Sequence, residues 1–193
     1  MDLATIRLRL QDYHPSVVDH NGYRRAAVAM ILRERGGECE ALLIQRSERP
    51  GDPWSGHMAL PGGRHDPDDG DDLLRTATRE TQEEVGIDLE QHGDLLGGLD
   101  DIQAIARDRP ISLVIRPYVY ALARDVAARP DGHEVRETVW LPLSHLTRPE
   151  GQGIYVRRLD GTAQEFPAFV YRGYTVWGLT YRMLCSFLSL LRP

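Results

Sequence analysis

The sequence predicts a mixed α/β (α+β) fold, with a mixed or largely antiparallel sheet packed between helices. Three observations carry this. Aliphatic, strand-like runs recur between turn signals, a strongly periodic helix interrupts them in the first half, and a second helix closes the chain. The 193 residues, 41% of them hydrophobic and 27% charged, suffice for one substantial core. No repeat, low-complexity tract or Pro/Ser-rich linker divides them, so residues 1–193 read as a single domain.

Leu3, Ile6 and Leu10 recur at helical spacing and predict a short N-terminal helix. Arg24–Leu32 and Ala41–Gln45 read as strands joined by a hairpin at Gly36-Gly37. Ser47 to Gly63, rich in Gly, Pro and Ser, reads as a loop ending in Leu60-Pro61-Gly62-Gly63. Asp72 to Val85 is a helix with acids at its start and Gly86 as its stop; Leu74, Ala77, Thr81 and Val85 form its core stripe. Ser112–Leu122 and Val135–Leu141 are strands, and Pro117 assigns the first to a sheet edge or a bulge. Ile154–Leu159 and Thr162–Phe166 flank Asp160-Gly161, a two-residue hairpin signal. Tyr174–Leu191 reads as a closing helix with an apolar stripe through Trp177, Tyr181, Leu184 and Leu188.

Composition narrows the function. The longest apolar run, Ala26–Leu32, is too short to cross a bilayer, and Met1–Gln11 lacks the basic and apolar regions of a secretory leader. Cys39 and Cys185 make neither a disulfide framework nor a CxxC site, so they read as reduced thiols of a cytoplasmic protein. A net charge of −6 argues against a nucleic-acid surface, which needs clustered Lys and Arg. Between Arg64 and Asp101 stand 13 of the 29 acidic residues, against three arginines. Such a density is either a solvated surface or a divalent-cation site, and spacing decides between them.

In Arg79-Glu80-Thr81-Gln82-Glu83-Glu84-Val85-Gly86-Ile87, Glu80, Glu83 and Glu84 stand at i, i+3 and i+4. On a helix this puts three carboxylates on one face with no Lys between them, at a repulsive cost that an ordinary surface helix avoids. Hard oxygen donors so spaced suit Mg²⁺ or Mn²⁺. The upstream glycine pair lets a backbone carbonyl approach the same ion.

These residues resemble the Nudix hydrolases, whose pattern is Gly-x5-Glu-x7-Arg-Glu-U-x-Glu-Glu-x-Gly-U with U bulky and aliphatic. Gly63, Arg79, Glu80, Glu83, Glu84, Gly86 and Ile87 match. Thr81 stands at the first U, and fifteen residues rather than thirteen separate Gly63 from Arg79. Placing Asp71 in the position of the first Glu keeps the x7 spacing and puts the extra residues in Arg64–Gly70. The resemblance implies a Nudix-type fold and hydrolysis of a nucleotide diphosphate by water. It makes Glu80, Glu83, Glu84 and the Gly63 carbonyl the ligands of Mg²⁺ or Mn²⁺, with Arg79 orienting the glutamates. Glu83 and Glu80 lead as general base, with Asp100 or Glu134 as loop alternatives.

Upstream, Leu42-Leu43-Ile44-Gln45-Arg46-Ser47, then Gly56, then Leu60–Gly63, is similar to the coenzyme A pyrophosphatase branch, Leu-Leu-Thr-x-Arg-Ser/Ala-x3-Arg-x3-Gly-x3-Phe-Pro-Gly-Gly. Gly22–Val28 and Trp177–Thr180 also look like that branch. Ile44 replaces Thr, Leu60 replaces Phe, one residue is inserted before Gly56, and Arg49 lies out of register with the second Arg. The implied substrate is coenzyme A or a derivative; ADP-ribose, dinucleoside polyphosphates and nucleoside triphosphates are the alternatives. Arg46 and Arg64 are candidate phosphate contacts and Trp54 a candidate aromatic wall, whereas Tyr155, Phe169, Tyr171 and Trp177 read as core. His57 and His65 read as loop polar groups. The Asp66–Asp72 run fails the calcium-loop spacing, with Gly70 at position 5 and Ala77 at position 12. The resemblance is compatible with a homodimer, although no pattern marks an interface. A Nudix-fold sensor that binds without cleaving is the rival from another class, and the retained glutamates count against it.

Overall fold

Ala26–Leu32, the most apolar run in the chain, lies in the middle of the sheet. A computed structural model describes residues 2–19, 22–51, 54–106, 109–159 and 162–192. Strand β1 (Arg24–Arg35) turns at Gly36-Gly37 into β2 (Glu38–Arg46), and the two pair antiparallel from Leu32↔Ala41 to Arg35↔Glu38. Beyond that register they part. The chain enters the gap as β3 (Met58–Ala59) and β4 (Gly62–Arg64), β3 pairing with Ile44 and Gln45 and β4 with Ala26–Val28. The expected loop thus ends in two short strands, and they hold the glycine pair inside the sheet.

Helix α2 (Leu73–Val85) follows, then α3 (Leu89–His92), β5 (Gly93–Gly98), β6 (Ile102–Ala106) and β7 (Arg109–Leu122). Strand β7 lies parallel to β1 from Arg24↔Leu113 to Leu32↔Ala121, with β5 and β6 antiparallel on its other flank. Pro117 is therefore in an interior strand rather than at an edge, and the pairing irregularities that were the other expectation occur along the same flank of β7, between Leu95 and Gly97 and between Gln103 and Ile105. The proline is tolerated because its flank faces the break between β5 and β6, where its carbonyl accepts from Leu99 N–H at 2.9 Å. A missing N–H there removes no ladder bond. Strand β8 (Val135–Pro142) covers the outer side of β2. Strands β5 and β6 escaped the sequence reading because Gly93-Asp94-Leu95-Leu96-Gly97-Gly98 carries the glycines of a turn.

After α4 (Leu143–Leu146), strands β9 (Gln152–Leu159), β10 (Thr162–Tyr171) and β11 (Tyr174–Trp177) form a second, three-stranded antiparallel sheet. The Asp160-Gly161 turn lies outside the described residues; the strands it would join pair antiparallel, with Leu159 opposite Thr162. The closing helix is shorter than expected. Tyr174–Trp177 is strand, paired with Ala168–Tyr171, and α5 is Gly178–Leu190. The β-branched and aromatic Tyr-Thr-Val-Trp run favours the strand, and the Arg172-Gly173 turn delivers it antiparallel to β10.

The core has two halves, one on each face of the main sheet. On one face, Val28, Met30, Leu32 and Leu43 pack with Ile6 and Leu10 of α1 (Leu3–Gln11) and with Met183, Leu184 and Phe187 of α5. On the other, Ala27, Ala29, Ile31, Leu42 and Ile44 pack with Leu73, Ala77 and Val85 of α2. Both cysteines are unpaired thiols, Cys39 buried and Cys185 partly so. No helix among the described residues is long and apolar enough to cross a membrane.

Candidate active site

Helix α2 begins where the Asp72 carboxylate accepts from Leu74 N–H at 2.9 Å and ends at Gly86 in the left-handed conformation. Its inner face holds Leu73, Thr76, Ala77, Thr81, Glu84 and Val85. Leu74 packs only at the margin, and Glu84 takes a core position that the sequence had given to the charged face. The three glutamates therefore differ. Glu84 is 3% exposed, Glu80 is largely buried and Glu83 stands mostly in solvent.

Glu84 accepts the Gly62 N–H at 2.8 Å. Burial pushes its carboxyl up to about 8, partly opposed by that hydrogen bond and by the Arg46 charge nearby. Gly62 has φ 141°, and a Cβ there would collide with the Ala27 carbonyl and Val28, so only glycine fits. A Cβ on Gly63 would overlap the Glu80 carboxylate. The glycine pair thus lets two carboxylates lie directly against main chain. Burial also raises the Glu80 carboxyl, and Arg79 opposes the shift.

Arg79 is the hub. Its Nη1 lies 3.0 Å from both Glu80 Oε1 and Glu83 Oε2. Nε and Nη2 donate to Asp69 Oδ1 and Oδ2 at 2.8 and 3.0 Å, and Nη2 also reaches the Arg64 carbonyl at 3.3 Å. Asp69 is 4% exposed and accepts further bonds from Thr76 Oγ1 and Asp66 N–H. The Arg79 guanidinium holds its carboxyl well below the usual range.

This corrects the expectation for Asp71, whose side chain is fully exposed with an ion pair to Arg25 at 3.6 Å. Asp69, not Asp71, fills the position of the first Glu. It preserves the five-residue spacing from Gly63, and the two extra residues fall between Asp69 and Arg79. The spacing to Gly63 could have identified it; counting back from Arg79 concealed it.

A further carboxylate comes from outside α2. Arg129 N–H and Asp131 N–H bond the Val85 and Glu84 carbonyls at 2.8 and 3.0 Å. The Asp131 carboxylate accepts from the N–H groups of His133, Glu134 and Val135. This places Glu134 close enough that its charge helps raise the carboxyls of both Glu80 and Glu84. Asp100, the other loop acid, is instead committed to Tyr13 OH and Ser16 N–H at 2.7 and 2.6 Å, where it anchors the N-terminal segment.

Arg46 ends β2, near enough that its charge helps hold the Glu84 carboxyl down, and Arg64 is exposed on β4 with its carbonyl turned to Arg79. Trp54 is 39% exposed on the loop after β2. The aromatic grouping lies elsewhere, correcting the core reading of Tyr155 and Trp177. Their rings stack at 4.1 Å, with His57 edge-on to Trp177 at 5.0 Å. They line a cavity of about 320 Å³ with Gln45, Glu48 and Tyr174. Phe169 is core, as expected.

Among the described residues, no three acidic, histidine or cysteine side chains converge as a ready metal cage. The donor set nevertheless fits Mg²⁺ or Mn²⁺. Mg²⁺ takes only one or two carboxylates and fills its octahedron with water and substrate phosphate, and a buried carboxylate raised toward neutrality gains from a nearby cation.

The NUDIX domain profile matches residues 22–159. The chain belongs to the Nudix hydrolase family. Human mitochondrial coenzyme A diphosphatase NUDT8 is 34% identical over 172 residues, covering 87% of this chain and 70% of that protein. An uncharacterised protein of Schizosaccharomyces pombe is 36% identical over 190 residues, covering 88% of this chain, which spans only 57% of that longer relative. Among solved structures, a binary complex of the C. elegans Ap4A hydrolase aligns with a TM-score of 0.52 and 26% identity, over 63% of this chain and 81% of that one. The Nudix membership agrees with the fold and with the pattern from Gly63 to Ile87.

Proposed function

We propose that this protein hydrolyses the pyrophosphate of coenzyme A or a derivative, releasing phosphopantetheine and 3′,5′-ADP. The observation that carries the reading is the Arg79 hub, which gathers Asp69, Glu80 and Glu83 beside the Gly62-Gly63 backbone. Glu80, Glu83 and Glu84, with the Gly63 carbonyl, would hold Mg²⁺ or Mn²⁺. When bound, the cation neutralises the diphosphate and acidifies water.

The chain's own residues do the rest. Arg79 fixes the glutamates through charge-assisted hydrogen bonds. Glu83, the most exposed of the three, accepts the proton of the attacking water. As the new P–O bond forms, the bridging P–O bond breaks and its oxygen leaves as a phosphate oxyanion. In this reading Arg46 and Arg64 contact phosphate and Trp54 supplies an aromatic contact. Coenzyme A is favoured by the Leu42–Ser47 and Leu60–Gly63 signature and by the similarity to a coenzyme A diphosphatase.

A second reading, cleavage of ADP-ribose or a dinucleoside polyphosphate, is supported by the out-of-register Arg49, by Leu60 in place of Phe and by the structural likeness to an Ap4A hydrolase. A mass-spectrometric product screen with Mg²⁺ and Mn²⁺ over coenzyme A, ADP-ribose, diadenosine polyphosphates and nucleoside triphosphates separates the two. Glu83→Gln is expected to lower turnover about 10²–10⁴-fold while leaving ligand binding in place. A wild type that binds but cleaves none of these would be a sensor.

A further inference from the structure

We propose that Arg49 binds the substrate diphosphate, and that Glu134 occupies its guanidinium as a stand-in anion until substrate arrives. This rests on the pyrophosphohydrolase reading and adds to it a residue that the upstream signature places out of register. The main chain at Arg49 closes its own loop, with its N–H donating to Ser55 Oγ at 2.6 Å. The guanidinium leaves that loop and crosses to the segment before β8. Nη1 donates to Glu134 Oε1 at 3.3 Å, and Nη2 lies 3.1 Å from the His133 carbonyl and 2.8 Å from His133 Nδ1.

That segment is fastened to the end of α2 through Asp131 N–H and the Glu84 carbonyl, and to the start of the Arg49 loop through Ser47 N–H and the Glu134 carbonyl, at 3.0 and 2.8 Å. Arg49 is thereby tied to the end of α2 that carries Glu80, Glu83 and Glu84. Its pairing is exchangeable. A single long contact joins two side chains that are 37% and 46% exposed, whereas Arg79 is locked by a two-oxygen bond to Asp69, which is 5% exposed in its side chain. Solvated one-point ion pairs contribute little. Phosphate oxygens offer a guanidinium the paired acceptors that its planar fork matches. Exchange of Glu134 for phosphate would also move an anion off Arg49 as the substrate's anion arrives, so the guanidinium passes from one anionic partner to another.

The test is calorimetric binding of ADP, as a diphosphate probe, in Mg²⁺ to wild type, Arg49→Met, Glu134→Gln and the double variant, with melting temperatures to verify folding. Arg49→Met should weaken ADP at least tenfold and raise KM with little change in kcat. Glu134→Gln should tighten ADP severalfold, and the double variant should behave as Arg49→Met. Unchanged ADP affinity in Arg49→Met overturns the inference, as does weakening by Glu134→Gln, which would make Glu134 a buttress of the arginine. If wild type turns over a diphosphate and Arg49→Met keeps its KM, this inference alone fails. If wild type neither binds nor cleaves any diphosphate, the hydrolase reading fails with it.

Discussion

The two faces of the main sheet solve different problems. Of the fully buried polar side chains among the described residues, Asp69, Thr76, Thr81 and Glu84 lie at α2, and only Thr180 lies under α5. The α5 face is held mainly by apolar contact, with Ile6, Met30, Leu32 and Phe187 fully enclosed and Thr180 donating one buried hydrogen bond to the Met58 carbonyl at 3.1 Å. The α2 face gives up apolar contact to bury two carboxylates, and each is satisfied: Asp69 by Arg79 and Thr76, Glu84 by Gly62 N–H. One face supplies stability and the other spends part of it on holding charge in place.

The largest stability effect expected from this division comes from the apolar side. Phe187→Ala should cost about 3–5 kcal/mol in urea unfolding while leaving turnover per folded molecule unchanged; a turnover loss without destabilisation would contradict the division. On the polar side, Asp69→Asn strips Arg79 of its buried partner. Breaking a fully buried pair costs about 3–5 kcal/mol, and this one should cost less because Arg79 is a third exposed and keeps Glu80 and Glu83. Here turnover should fall together with stability, whereas Asp71→Ala should alter neither.

The third effect is on pH, and the two buried acids have opposite signs. The lowered carboxyl of Asp69 contributes stability above its unfolded value of about 4, and this is lost as pH falls through its folded value. The raised carboxyl of Glu84 makes its contribution below about 4.3, and this is lost as pH climbs toward about 8. In EDTA, the melting temperature should therefore decline between these limits in wild type and less steeply in Glu84→Gln. Added Mg²⁺ should recover most at the alkaline end. Equal slopes in the two proteins would remove Glu84 from the account. The smallest effect is at the surface. Arg7–Asp94, about half exposed on both sides, should be worth under about 1 kcal/mol when Arg7→Ala is compared by the same unfolding assay.

The strongly periodic parts of this fold were legible in the sequence. Helix α2, its stop at Gly86, the β1–β2 hairpin and the Glu80/Glu83/Glu84 spacing follow from local chemistry. What was illegible depends on partners distant in the chain. Pro117 looks like an edge residue until β5 and β6 are seen to part opposite it. Tyr174–Trp177 continues a helical stripe on paper, yet β10 claims it as a strand. Glu84 shares a charged run with Glu83, and only the approach of the Gly62 backbone makes a buried position habitable. Asp69 was hidden because it is one of five acids in seven residues, distinguished only by Arg79 reaching back for it.

The parallel pairing of β1 with β7 has a consequence for how the molecule is made. Ala26 pairs with Ile115, so one long flank of β1 stays unclaimed until almost ninety further residues have been synthesised. At roughly 5–20 residues per second, the nascent β1–β2 hairpin waits several seconds with its most aliphatic strand open to other chains. Loop closure over that span is also slow in isolation. Docking of α1 on the face of β1 can shield the strand's side chains in that interval, but not its main-chain edge. That edge is where a holding chaperone, or a second nascent copy, would find the young protein.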